Sequence, residues 1–143
     1  MKFSITAILI FLICFVGQSV FAQDSLRNQR KWTVQNCVNQ FNKEKTVKTN
    51  AGYQYWFADP SFINGRTLKM SVVKPHDATH PPHKHIEDEF FFILEGKAKL
   101  FLDGDSVVCE PYTSFYCPSM VEHGIRNAGD TELKYLVIKD YQK

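Results

Sequence analysis

From Tyr53 onward this chain is a succession of short apolar segments, each closed by a turn signal, and that pattern leaves few folds open to it. The segments are 53–58, 66–74, 89–95, 97–103, 106–109, 114–117, 121–126 and 132–139, all rich in aromatic and β-branched residues. Between them stand Asp59-Pro60, Asn64-Gly65, the stretch from Pro75 to Pro82, Gly96, Asp103-Gly104, Glu110-Pro111 and Gly129-Asp130, all of them strong breakers. Strands this short and numerous, with no helical period between them, cannot build a helix-covered parallel sheet. They predict an all-β, antiparallel sandwich or barrel in a single domain.

The two-residue period of a strand says which side chains share the interior. In 97–103 the inward set is Ala98, Leu100 and Leu102, with Lys97, Lys99 and Phe101 outside. In 89–94 one face carries Glu89, Phe91 and Ile93 and the other Phe90, Phe92 and Leu94. Both faces are apolar, so something covers the outside as well, either the segment 23–50 or a second subunit. The outward Phe90, Phe92 and Phe101 predict a homodimer.

Ahead of the strands the chain has another character. Lys2 precedes an apolar run from Ile5 through Val16, and the small residue Ala22 follows Val20 and Phe21. This is the pattern of a secretory signal peptide cut after Ala22. A membrane anchor is the alternative, but the run falls short of the roughly 20 residues a spanning helix needs, and Gly17, Gln18 and Ser19 interrupt it. Cys14 lies behind the bulky Leu12 and Ile13, which disfavours a lipoprotein cleavage site. The expectation is a secreted or periplasmic protein with a signal peptide at 1–22, an N-terminal arm at 23–50 and a β-barrel domain at 51–143. In the arm, Trp32, Val34, Val38 and Phe41 fit one face of a short helix, while the first three fit a strand equally well.

With 44% hydrophobic and 22% charged residues and a net charge of +2, the chain is of ordinary globular composition. Nucleic acid is not expected as a partner, nor is the membrane once the leader is removed. Lys43, Lys45 and Lys48 are interrupted by Glu44 and read as a solvated face. Beyond the leader the cysteines are Cys37, Cys109 and Cys117, so at most one internal bridge can form. Cys109 and Cys117 flank the turn-like 110–113 and suit a hairpin bridge. They suit equally a pair of small buried apolar residues.

The chemistry is concentrated. Four of the five histidines, His76, His80, His83 and His85, fall within ten residues, and Glu87, Asp88 and Glu89 follow at once. His83, His85 and Glu89 share parity and project to one side of an extended segment; His123 lies on a later strand, after Pro118. Imidazole and carboxylate together suit Fe, Mn, Ni, Co or Zn rather than Ca or Mg. A zinc thiolate site is excluded by the lack of any Cys-x-x-Cys. Dinucleotide-binding, P-loop, serine-hydrolase and zincin signatures are absent.

From Met70 to Asn127 the sequence resembles the cupin family, small β-barrels whose two motifs supply a metal site. The first motif reads His83-Lys84-His85, three residues, Glu89, six residues, Gly96; the second runs from Pro118 through His123 to Asn127. The pattern departs from the family at three glycine positions, occupied here by Asp77, Tyr112 and Met120. These bear on turns and leave the ligand types intact. The resemblance implies a double-stranded β-helix, or jelly-roll barrel, with His83, His85, Glu89 and His123 as ligands to a divalent transition metal. It makes Asn127 either a strand-end residue or one that supports a ligand from behind, not a ligand itself, and His76 and His80 loop residues.

The family includes dioxygenases, decarboxylases, isomerases, epimerases and lyases alongside members that only bind. The expectation is therefore a metal-dependent enzyme acting on a small polar metabolite such as a sugar or sugar acid, of isomerase, lyase or dioxygenase type. A noncatalytic sugar- or small-ligand-binding module is the alternative. No catalytic acid or base can be named, because Tyr53, Tyr55, Arg66, Lys69, Tyr116 and Arg126 could each reach a pocket mouth and nothing in the sequence separates them.

Overall fold

Cross-strand pairing gathers the alternating segments into two antiparallel sheets. The computed structural model describes residues 32–63 and 65–141; the expected leader at 1–22 lies outside the described residues, as does the arm through residue 31. The strands are β1 (Val47–Thr49), β2 (Gly52–Ile63), β3 (Arg66–Val73), β4 (Glu89–Glu95), β5 (Ala98–Leu102), β6 (Asp105–Cys109), β7 (Ser114–Cys117), β8 (His123–Asn127) and β9 (Leu133–Asp140). One sheet has the order β1-β2-β3-β9-β4-β7 and the other β6-β5-β8. From β4 onward the chain passes repeatedly between the sheets, which is the all-β jelly roll expected from the sequence.

Residues 32–38 belong to a different compact unit from residues 39–143 and hold the four-residue helix α1 (Val34–Cys37). Its start is fixed by a capping box: the Thr33 hydroxyl accepts from the Asn36 N–H, and the Asn36 side chain accepts from the Thr33 N–H. In the following unit a 3-10 turn at Lys43–Lys45 leads into β1. Phe41 packs edge-on against Tyr55 with ring centres 5.0 Å apart, and the Tyr55 hydroxyl donates to the Gln40 carbonyl at 2.8 Å. Gln40 and Phe41 thus cover Tyr55 on β2, while β1 extends the sheet at its edge.

The interior follows the alternation read from the sequence. Glu89, Phe91 and Ile93 are buried, as are Ala98 and Leu100, and Val73, Ile125, Leu133, Tyr135 and Val137 complete the core between the sheets. The outward phenylalanines divide differently from expectation. Phe90 and Phe92 lie on the six-stranded sheet but Phe101 on the other, so the three do not form one patch. Phe90 instead stands in register between Tyr116 and Ile138, and all three are about half exposed.

Cys37, Cys109 and Cys117 are unbridged. A hairpin bridge does not form because Cys109 pairs with Ala98 on the smaller sheet while Cys117 pairs with Glu89 on the larger. The tight crossing from β4 to β5 depends on Gly96, whose φ is +84° and where a Cβ would stand 2.5 Å from the Glu132 carbonyl oxygen.

Candidate metal centre

His83 and His85 sit on an irregular loop, and the fold has to bring them to a strand nearly forty residues away in sequence. Backbone pairing does this. The N–H of His83 donates to the carbonyl of His123 and the N–H of His123 to that of His83, both at 2.9 Å, an isolated antiparallel bridge that sets the two side by side. Met120 N–H donates to the His85 carbonyl at 2.8 Å, and the Ser119 hydroxyl donates to the Ile86 carbonyl. Pro82 closes the contact from outside by resting on Gly124, where a Cβ would come within 3.1 Å of it.

The rings converge as a result. Ring centres lie 5.4 Å apart for His83 and His85, 5.2 Å for His83 and His123 and 4.8 Å for His85 and His123. Each Nδ1 faces a backbone carbonyl: that of Pro81 at 3.3 Å for His83, Glu87 at 2.7 Å for His85 and Val121 at 2.8 Å for His123. A carbonyl can only accept, so a proton held on Nδ1 leaves the Nε2 lone pair of a ring for a ligand; at His123 the Glu89 carboxylate stands before Nε2 as well. Backbone carbonyls in this position are the usual orienting partners of metal-binding histidines.

Glu89 enters from β4. Its Oε1 is 3.1 Å from His123 Nε2 and 3.5 Å from His85 Nε2. Donors held at about 2.1 Å from one ion and at right angles stand roughly 3 Å apart, so these separations suit a shared cation. His85 Nε2 is buried and has no hydrogen-bond partner. An orphaned lone pair of this kind is costly unless something occupies the space before it. The donor set of three imidazoles and a carboxylate therefore fits a divalent transition metal.

Burial holds the His83 imidazolium back, pushing its pKa down; the neighbouring charges of His80, His123 and His85 add to this, while the Pro81 carbonyl opposes it. One site neighbour was not singled out from the sequence. Cys117 forms a second donor group with Glu89 and His123, all within 4.8 Å of one another. Its thiol is pushed up by burial and then by the negative charge of Glu89, which keeps it protonated and unreactive. No local pattern marks it, because its place is set by register: Cys117 is directly opposite Glu89 across β7 and β4.

His76 and His80 remain loop residues. His76 pairs with Asp130 at 2.9 Å at the surface, and His80 lies edge-on to His83 with ring centres 4.3 Å apart. Asn127 is fully buried and faces away from the cluster: its Nδ2 lies within 3.0 Å of the carbonyls of Val73, Lys74 and Thr131, and its Oδ1 accepts from Gly129 N–H. It fastens the end of β3 to the turn that follows β8.

Of the six residues the sequence could not rank, most are committed elsewhere. Tyr55 is bound to Gln40 under the outer cover, Arg66 pairs with Asp140, Tyr116 donates to Asp88 on the outer face and Arg126 donates to the His76 carbonyl. Lys69 alone of these stands on the inward face of the large sheet beside core residues.

Comparison with known proteins places this architecture. Residues 69–139 match the family model of the Cupin domain, a span that takes in both histidine clusters. A search of curated proteins gave no match. Among solved structures, a predicted oxalate decarboxylase from Thermotoga maritima superimposes with a TM-score of 0.62 at 20% identity, covering 72% of this chain and 97% of that one. A Cupin 2 conserved barrel domain protein from Salinispora arenicola gives 0.61 at 18% identity, covering 73% and 87%. A sugar phosphate isomerase of the cupin superfamily from Silicibacter pomeroyi gives 0.58 at 19% identity, covering 63% and 59%. At such identities the likeness speaks for the fold; together with the motif-bearing match over 69–139, it assigns this chain to the cupin family.

Proposed function

We propose that this cupin binds a divalent transition metal through His83, His85, Glu89 and His123 and is a metal-dependent enzyme acting on a small polar metabolite such as a sugar or sugar acid. The observation that carries the reading is the orphaned Nε2 of His85, buried beside the Glu89 carboxylate that also meets His123. Bound there, an ion of this class supplies Lewis acidity toward a coordinated oxygen. The chain's own part is to orient three imidazoles through their Nδ1 atoms and to aim the Glu89 carboxylate among them. The solved neighbours described as a decarboxylase and an isomerase are consistent with chemistry beside a carbonyl.

The test is direct. Purified without a histidine tag, the protein is expected to hold close to one equivalent of metal, and His83→Ala and His123→Ala are each expected to empty it. Metal content that neither substitution changes overturns the reading. With metal established, a panel of sugars and sugar acids separates turnover from tight binding without turnover, the noncatalytic alternative.

We further propose that the protein is exported, on the strength of the apolar leader ending at Ala22, and that it pairs with a second copy through the face carrying Phe90, Tyr116 and Ile138. Amino-terminal sequencing of the exported protein that begins at Met1, or a monomer in gel filtration, would reject these in turn.

A further inference from the structure

The barrel wall opposite the imidazoles carries two ammonium groups. β3 and β9 run in unbroken register from Arg66 and Asp140 to Val73 and Leu133. Thr67, Ser71 and Val73 are buried, so alternation turns Lys69 to the interior with them. Its cross-strand neighbour Val137, and Phe91 beyond it on β4, belong to the core. Lys139 points inward two residues further along β9, opposite Glu89.

The two lysines differ in how they are held. Lys139 Nζ is 3.5 Å from Glu87 Oε2 and 4.8 Å from the centre of the Tyr141 ring. Lys69 makes no ion pair among the described residues. Its ammonium lies 5.1 Å from the centre of the Trp56 ring, half-buried, where it feels the charges of Glu89 and Lys139. A lysine that is partly desolvated and lacks a carboxylate partner is electrostatically unfinished.

Charge points to what completes it. Glu87 and Glu89 balance Lys69 and Lys139, so a divalent ion bound as proposed above leaves its whole charge uncompensated inside the barrel. That interior attracts an anion. A phosphate ester would call for a guanidinium fork or a helix N-terminus, yet Arg66 and Arg126 are both engaged at the surface. A single ammonium over an apolar floor suits the smaller charge of a carboxylate.

We propose that Lys69 is a recognition residue that seats the carboxylate of a small hydroxy- or keto-acid within reach of the imidazole cluster, with Lys139 as its electrostatic support. The proposal rests on the metal-centre reading and narrows its substrate class to organic acids. Trp56 is the reporter, and Trp32→Phe leaves it as the one tryptophan, since the chain has two.

In that background, glycolate, pyruvate and D-gluconate are titrated at millimolar concentration into zinc-loaded and metal-free protein, with D-glucose as the uncharged control. Trp56 fluorescence and calorimetric affinity are read. At least one acid is expected to shift the fluorescence while glucose does not, and Lys69→Met is expected to weaken that acid by about ten- to a hundredfold. Lys69→Gln, which keeps the stem polar, is expected to do the same, and Lys69→Arg to restore part of the affinity. Melting temperature and metal content should stay unchanged in each.

An acid bound as tightly by Lys69→Met and Lys69→Gln as by the parent overturns the proposal and leaves the metal reading standing. No response to any acid also overturns it. Failure of the protein to retain zinc overturns the metal reading and the charge argument built on it, and metal content reports that outcome separately from the Lys69 titrations.

Discussion

The two halves of the histidine cluster are built in opposite ways. His123 is a strand residue with no exposed surface, fixed by the β5–β8 ladder and by its own Nδ1 bond to Val121. His83 and His85 ride on a loop without regular structure, their rings partly open to solvent, and are held in place by hydrogen bonds to residues 119, 120 and 123. The strand half acts as a template for the loop half. Losing the template should disturb both, whereas losing a loop ring should disturb only the donor set.

The sharpest way to break this contrast is to truncate one ring from each half. His123→Ala leaves a cavity in the core and removes the partner of the buried Glu89 carboxylate, so it should cost about 2–4 kcal/mol of stability in the metal-free protein. His83→Ala should empty the site equally but stay within about 1 kcal/mol of the parent, as befits a half-exposed loop side chain. Urea unfolding beside metal analysis reads both effects. Equal destabilisation by the two would show that the loop carries as much of the fold as the strand.

Asn127 sharpens the same contrast from the other side, because it sits in the strand half and touches no donor. Asn127→Ala strands the carbonyls of Val73, Lys74 and Thr131 and should cost about 2–3 kcal/mol while metal content stays near that of the parent. A drop in metal content at retained stability would move Asn127 into the site.

How much of this was legible follows from what each feature depends on. β4 and β7 were read at their observed bounds because Gly96, Pro111 and Pro118 punctuate them. β2 runs past Asp59-Pro60 because two register shifts absorb the proline, a tertiary accommodation that no local pattern announces. β1 escaped notice since three residues, with only Thr49 drawn partly in from solvent, carry no periodic signal. The four ligand candidates were legible through spacing that the fold turns into convergence. The inward Lys69 and Cys117 were not, since each is defined by the residue it faces across a strand pair, and a single sequence does not print its register.

A smaller effect separates the loop ring from its neighbours by pH. Burial and nearby imidazoles push His83 below its ordinary value of 6.5, so its neutral form is favoured in the folded chain. Between the depressed value and 6.5 the unfolded chain binds more protons than the folded one. Stability from this ring is therefore complete above that window and is lost as pH falls through the folded value. The metal-free parent should show a falling urea midpoint on acidification through the window, and His83→Ala a shallower fall. Protons and metal compete for the same Nε2, so affinity for zinc should weaken over that range as well. Identical slopes in parent and variant would assign the dependence to other groups.

The smallest expected effect lies in the turns. At two of the three places where the family pattern carries glycine, this chain keeps the left-handed backbone without the residue suited to it: Tyr112 has φ +63° and Met120 φ +61°. Both side chains are largely exposed, so little packing offsets the crowding of Cβ, which costs roughly 1 kcal/mol or slightly more in that region. Glycine there relieves the strain but gains backbone freedom when unfolded, leaving a net stabilisation of about 0.5 kcal/mol for Tyr112→Gly or Met120→Gly. Met120→Ala should change almost nothing, which separates the backbone effect from loss of the side chain. At the third position the left-handed residue is His76, at φ +58°, one place before Asp77. Asp77→Gly should therefore lower stability, since it adds freedom to the unfolded chain where there is no strain to relieve; a gain there would mean that the turn can shift its left-handed residue by one.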